Sequence, residues 1–313
     1  MARFLARRSI SLVLTLLSVS FLVFALSEFS PGDVARKELG PFATPEQVQD
    51  LTERLGLDRP LPVRYGEWLG SVLAGDLGRS RLFKRPVAEV LGERLANTAL
   101  LAAIAFAIIV PLAIFFGVLA GMREGSLVDR GVSLGAIITT SVPEFASGVF
   151  LAGIFVIWLG VLPGTSTLES GGGWSLAQQL VLPVAVMVLY DLGYVVRMVR
   201  ASMVETMGQP YIRTAILKGL AMRRVVLRHA LRNAMIAPFT VILLQINYLV
   251  TGVVVVEAVF AYPGFGRMML DAALFQDIAL LEAGALVAVL IAVLTQVIGD
   301  LGYMWLNPRI RVR

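Results

Sequence analysis

Residues 97–121, NTALLAAIAFAIIVPLAIFFGVLAG, carry no charged side chain. A run of this length and polarity matches the ~20 residues that a helix needs to cross a bilayer, and it suits no ordinary soluble core. Comparable runs recur at 9–26, 132–161, 178–198, 236–258 and 280–303. The expected fold class is therefore an all-α polytopic membrane protein with six transmembrane helices, since a spanning segment must satisfy its own backbone in lipid. Composition agrees: the 313 residues are 57% hydrophobic and 16% charged, with mean hydropathy +0.80. Pro111 and Pro143 fall inside two of the runs, where kinks packed against neighbouring helices are expected rather than helix ends.

The first run has two readings. Arg3, Arg7 and Arg8 precede it and Ala25 and Ser27 resemble a cleavage site, as in a signal peptide, but its apolar core exceeds the ~7–15 residues of a signal h-region. An uncleaved first helix is expected.

Charge sets the orientation. Arg123 and Arg130 lie between the second and third runs, Arg197, Arg200, Arg213, Lys218, Arg223, Arg224, Arg228 and Arg232 between the fourth and fifth, and Arg309, Arg311 and Arg313 in the tail. The loop between runs three and four has no Lys or Arg, so both termini are expected in the cytoplasm. The expected organisation is a cytoplasmic amino terminus with the first helix over 1–28, an extracytoplasmic helical segment over 29–96, a five-helix core over 97–303 and a cytoplasmic tail over 304–313. In the outer segment Thr44 and Pro45 mark a helix start, and RYGEWLGSVLAGDLGRS and RPVAEVLGERLANT predict two more short amphipathic helices, with Tyr65 and Trp68 suited to the headgroup level. The net charge of +5 is read as topology-setting and not as a nucleic-acid footprint.

The cytoplasmic insert at 199–235 is unusual. YIRTAILKGLAMRRVVLRHALRNAMIAP (211–238) concentrates basic residues and the only histidine between apolar runs. Arg224, Arg228 and Arg232 recur on one helical face, and Met222, Val226 and Ala230 on another. Gly219 predicts a turn between a helix at 211–218 and a second helix returning to the membrane. Three readings compete: a topology-setting loop that binds anionic lipid, a nucleic-acid patch, or a docking element for a cytoplasmic partner. The second lacks an aromatic platform among the charges.

Several short stretches bear on that choice. RTAILKG, followed at distance by LRHALRNAMIAP, resembles the coupling loop of ABC-importer permeases in its dipeptide/oligopeptide/nickel form. SPGD (30–33), LGLDRPLPVRYGEWL (55–69), GDLGRS (75–80), PVAEVLGERLANT (86–98), VFAYPGFGRMMLDA (259–272), QD (276–277) and LNPRIR (306–311) extend the resemblance over nearly the whole chain. Arg213, Thr214 and Ala215 stand where the wider superfamily has Glu-Ala-Ala, and Gly219 stands at its glycine. The resemblance implies the type I ABC-importer permease fold in a bacterial or archaeal plasma membrane. It implies docking of a cytoplasmic ATPase through Tyr211, Arg213, Thr214, Ala215, Lys218, Gly219 and Leu220. The implied partners are a second homologous permease, commonly a different chain, two ATPase subunits that bind ATP and Mg, and an extracytoplasmic solute-binding protein.

Other chemistry is missing from the sequence. No G-x-x-x-x-G-K-[ST] motif is present, so the chain has no P-loop and no cofactor or catalytic residue is expected on it. Zero cysteines exclude thiolate chemistry, one histidine cannot build a zinc site, and no metal is expected on the chain. Among the intramembrane acids, Asp191 lies nearest the middle of a run, with Glu144 and Glu257 shallower. Asp191 has two readings: a residue lining a translocation path with Gln245 and Asn247, or an interhelical hydrogen-bond partner of one of those amides. The rival to an importer permease is an ion-coupled secondary transporter with Asp191 as coupling acid, although no inverted repeat is found. Dipeptide, oligopeptide, nickel chelate, opine and glycoside all remain open as substrates.

Overall fold

The computed structural model describes residues 2–28, 39, 42–54, 58–168, 173–251 and 253–306. SPGD, part of LGLD, and most of LNPRIR with Arg309, Arg311 and Arg313 lie outside them. The described chain is helical, with a single antiparallel bridge between Arg79 and Pro86. The helices are α1 (Ala2–Glu28), α2 (Pro45–Arg54), α3 (Leu61–Leu73), α4 (Val87–Gly121), α5 (Leu127–Ser141) and α6 (Glu144–Ala152), the last running into a π-helical turn at Gly153–Trp158. There follow α7 (Leu176–Met207), α8 (Pro210–Leu217), α9 (Met222–Arg224), a second π-helical turn (Val225–Ala230), α10 (Leu231–Ala234), α11 (Ile236–Thr251), α12 (Val254–Val259), α13 (Phe265–Leu274) and α14 (Ile278–Leu306).

Four helices are long and apolar enough to cross a membrane, within Val87–Gly121, Leu176–Met207, Ile236–Val259 and Ile278–Gly299. A fifth span results if the pair Leu127–Ser141 and Glu144–Trp158 counts as one, and α1 contributes a shorter apolar stretch, Ile10–Leu26. Two expectations need correction. The run at 132–161 is not a kinked helix: it breaks at Val142–Pro143 with a bend of 94°. Pro143 has no N–H to continue α5 and holds its predecessor extended, at φ −90° and ψ 123°, so the helix stops. Pro111, by contrast, stays inside α4. The stretch 86–98, expected as a separate amphipathic helix, is the first part of α4, because no breaker separates it from the apolar run.

The chain divides into two compact units, residues 1–92 with 272–290, and residues 93–271 with 291–313. In the first unit α2 starts with the expected cap: the Gln47 N–H donates to Thr44 Oγ1 and the Thr44 N–H to Gln47 Oε1. α3 lies on α1 through aromatic edges, with Tyr65 5.3 Å from Phe21 and Trp68 5.4 Å from Phe24, and with the Ser20 and Tyr65 hydroxyls 2.6 Å apart. The GDLGRS stretch turns on Gly78 and is held by a buried acid. Asp277 accepts from Ser80 Oγ at 2.5 Å and from the Leu82 N–H at 3.1 Å, while its other oxygen caps α14 at the Leu280 N–H.

In the second unit α7 is the hub. It buries Leu182, Met187, Val195, Val199 and Met203 against its neighbours. Small residues permit close approach: a Cβ on Gly117 would stand 2.5 Å from Val199 Cβ, and one on Gly121 2.7 Å from Met203 Cβ. Beyond Gly121 the chain reverses, and Asp129 locks the turn to α7. Arg200 forks onto it at 2.5 and 2.7 Å, and the Gly125 N–H and Ser133 Oγ add further donors. Removing one member of this partly buried pair costs about 1–3 kcal/mol. Asp129→Ala and Arg200→Ala are each expected to lower the thermal midpoint of the purified protein, with the double variant losing clearly less than the sum. Additive losses would mean that the pair is not coupled.

Candidate functional site

The insert at 199–235 folds as a helical hairpin. α8 begins at Pro210, whose missing N–H costs nothing at a first helical position. It ends in a Schellman motif: the Gly219 N–H donates to the Ile216 carbonyl and the Leu220 N–H to the Ala215 carbonyl, with Gly219 at φ +73°. That conformation is why glycine stands there. Ile212 and Ala215 face inward onto Met203, Val225, Val226, Ala230 and Ala234, and Leu220 packs on the same cluster. Asn233 ties the return limb back through the Tyr211 hydroxyl at 3.0 Å, and Ser202 Oγ donates to the Ala234 carbonyl at 2.6 Å.

The site residues read from the sequence therefore divide. Tyr211, Arg213, Thr214, Lys218 and Gly219 are exposed, Leu220 is half-buried and Ala215 is buried in its own chain. Ala215 positions α8 and offers no side chain to a partner. Leu217, which the sequence reading passed over, is 78% exposed at the tip. The return limb also differs: Val225, Val226, Ala230 and Ala234 form its inner face, whereas Met222 is exposed. The π-helical turn at Val225–Ala230 shifts the register from 3.6 residues per turn, which a helical wheel could not anticipate. Arg224, Arg228 and Arg232 stay outward as expected.

A second constellation lies where α6, α7 and α11 meet. Asp191, 1% exposed, accepts from Gln245 Nε2 at 2.5 Å. Glu144, the first residue of α6, accepts from the Tyr248 hydroxyl. The Tyr190 and Tyr248 rings stack at 6.2 Å. Asn247 is not part of this group. It is two residues beyond Gln245, roughly 200° around the helix, and it lines a cavity of about 610 Å³ with Thr240, Leu244, Thr295, Gln296 and Gly299. Glu144 and Asp191 stood out as intramembrane acids in the sequence; the tyrosines did not, because an aromatic in an apolar run carries no signal of a polar partner.

A third arrangement explains the YPGFG stretch, which the sequence shows only as a turn. Glu257, fully buried, accepts from Thr98 Oγ1 at 2.5 Å and from the Arg267 N–H at 2.8 Å, with the Gly266 N–H adding a bond. Thr98 Oγ1 in turn accepts from the Phe265 N–H. A carboxylate thus occupies the amino end of α13, where free N–H groups and the helix dipole favour an anion. A Cβ on Gly264 would overlap that carboxylate. Asn97 donates to the Pro263 carbonyl at 2.8 Å, and the Tyr262 hydroxyl donates to the Asn97 carbonyl at 2.6 Å. Burial, with the Glu257 carboxylate nearby, pushes the Tyr262 phenol up, so it stays a donor. LANT and YPGFG, far apart in sequence, are two halves of one lock.

The described residues contain no group of His, Asp and Glu able to hold a metal ion.

The chain matches the family described as binding-protein-dependent transport system inner membrane component over residues 113–312, and its amino-terminal membrane component over residues 1–104. It is 37% identical over 314 residues to a putative peptide transport system permease protein of Brucella abortus (strain 2308), covering 99% of each chain. It is 32% identical over 314 residues to the oligopeptide transport system permease protein AppB of Bacillus subtilis (strain 168), again covering 99% of each. Among solved structures, an inward-facing MetNI methionine ABC transporter is similar with a TM-score of 0.52 and 21% identity, over 71% of this chain and 96% of that one. That likeness concerns the fold alone. With both family segments matched along the chain and full-length relatives above 30% identity, the protein belongs to the inner membrane components of binding-protein-dependent transport systems, the permeases of ABC importers.

Proposed function

We propose that this chain is one half of the translocation path of a peptide importer, and that ATP hydrolysed on partner subunits reaches it through the hairpin at 210–220. The observation that carries the docking reading is the two-sided build of α8. Ile212 and Ala215 fasten it to the end of α7, while Tyr211, Arg213, Thr214, Leu217 and Lys218 are turned outward. A short helix held rigidly on one face, with an apolar tip rimmed by cations on the other, suits a groove with acidic edges. The names of its relatives support a peptide as the cargo.

The remaining parts follow from this reading. Two ATPase subunits carry ATP and Mg on the cytoplasmic side, and the positive charge of the loops supports both termini lying on that side too. A second, related permease completes the path, with a different chain favoured over a second copy, and six helices per chain enter the membrane, α1 being the first. A solute-binding protein delivers from outside onto the segment at 29–96. Asp191 and Gln245 line the route, whereas Asn247 faces a separate cavity on another side of α11. Family membership leaves the ion-coupled transporter, with Asp191 carrying the ion, without support.

Two outcomes are expected. Gly219→Val forces a β-branched residue into a left-handed conformation, costing about 1–2 kcal/mol locally. In the reconstituted complex it should leave assembly intact while peptide uptake per ATP hydrolysed falls several-fold; unchanged coupling would remove the turn from the mechanism. Leu217→Asp changes no internal contact of the hairpin core, yet it should reduce co-purification of the ATPase about tenfold, as expected when an interface anchor is lost. A full yield of ATPase would place docking elsewhere.

A further inference from the structure

The cluster at α6, α7 and α11 holds more acceptors than its own donors satisfy. Asp191 Oδ1 takes the Gln245 amide, whereas Asp191 Oδ2 is buried without a hydrogen-bond partner among the described residues. Glu144 is near enough to act electrostatically on Asp191, and among the described residues no Lys or Arg does so. An interhelical contact alone would need one acceptor for Gln245, which asparagine supplies; a second carboxylate oxygen and a charge are penalised in hydrocarbon. The span also breaks here, at Val142–Pro143, which sets Glu144 at the opening of α6. Broken helices at membrane depth are tolerated where they line a path.

What this cluster lacks is a positive group with N–H donors. An ammonium supplies both. The stacked Tyr190 and Tyr248 rings add aromatic faces that attract cations. We propose that Asp191 Oδ2 and the Glu144 carboxylate, oriented by Gln245 and Tyr248, form a transit site for the ammonium group of a passing peptide. The proposal rests on the peptide-importer reading and goes further by naming which end of the cargo this chain recognises. With Asp191 1% exposed, the site is closed in this structure and opens when the helices part.

The test separates this chain's preference from that of the binding protein. The purified complex of permeases and ATPases, without binding protein, is heated with millimolar alanyl-alanine or its N-acetylated form. The free-amine peptide should raise the melting temperature and the acetylated one should not; Asp191→Asn and Glu144→Gln should each abolish the rise. In proteoliposomes with binding protein, both variants should lower alanyl-alanine uptake about tenfold, the scale of one lost charge-assisted hydrogen bond. Asp191→Glu should recover part of it. No shift in the wild-type complex, equal shifts with the two peptides, or a shift that survives both variants overturns the ammonium site. Absence of ATP-driven uptake by the wild-type complex instead overturns the importer reading. Glu144→Gln keeps the test decisive if Asp191→Asn fails to assemble.

Discussion

Backbone and polar groups buried away from water must find partners inside the chain, and this constraint shapes three turns and helix ends here. Three carboxylates answer it. Asp129 gathers Arg200 and the Gly125 N–H where the chain turns after α4. Glu257 fills the amino end of α13 and takes Thr98 as a further donor. Asp277 caps α14 and holds the loop at 80–82. A buried charge is costly alone, but each of these is surrounded by donors that would otherwise be orphaned. These groups thus fix the turn after α4, the YPGFG turn and the loop at 80–82.

Asp191 stands apart from these three. Among the described residues its neighbours satisfy one oxygen and leave the other bare, whereas Asp129, Glu257 and Asp277 have donors for both. Such a residual acceptor is what a passing solute can use, since permanent partners would have to be broken at each passage.

Much of the architecture was legible in the residues. Apolar runs located the four long apolar helices, Thr44 with Pro45 located α2, and Gly219 located the turn of the hairpin, because each depends on local chemistry alone. The sequence was less informative where one position had two local outcomes. Pro111 and Pro143 look alike in an apolar run, yet one sits inside α4 and the other ends α5. Pairings across long separations were also hidden: Thr98 with Glu257, Ser80 with Asp277, and Asp129 with Arg200 each join stretches that seemed unrelated. Ala215 illustrates the limit at the candidate site. Its small size suited either a partner's groove or a tight contact within the chain, and only packing distinguishes the two.

The central claim is that another protein's ATP hydrolysis enters this chain through α8 and its turn. The sequence contains no cysteine, so a single Leu217→Cys provides one defined thiol at the hairpin tip. Crosslinking from that thiol in the purified complex should capture the ATPase subunit and change with bound ATP, while Val225→Cys, buried beneath the hairpin, should capture nothing. An intact, ATP-hydrolysing complex in which Leu217→Cys reaches no ATPase would contradict the account.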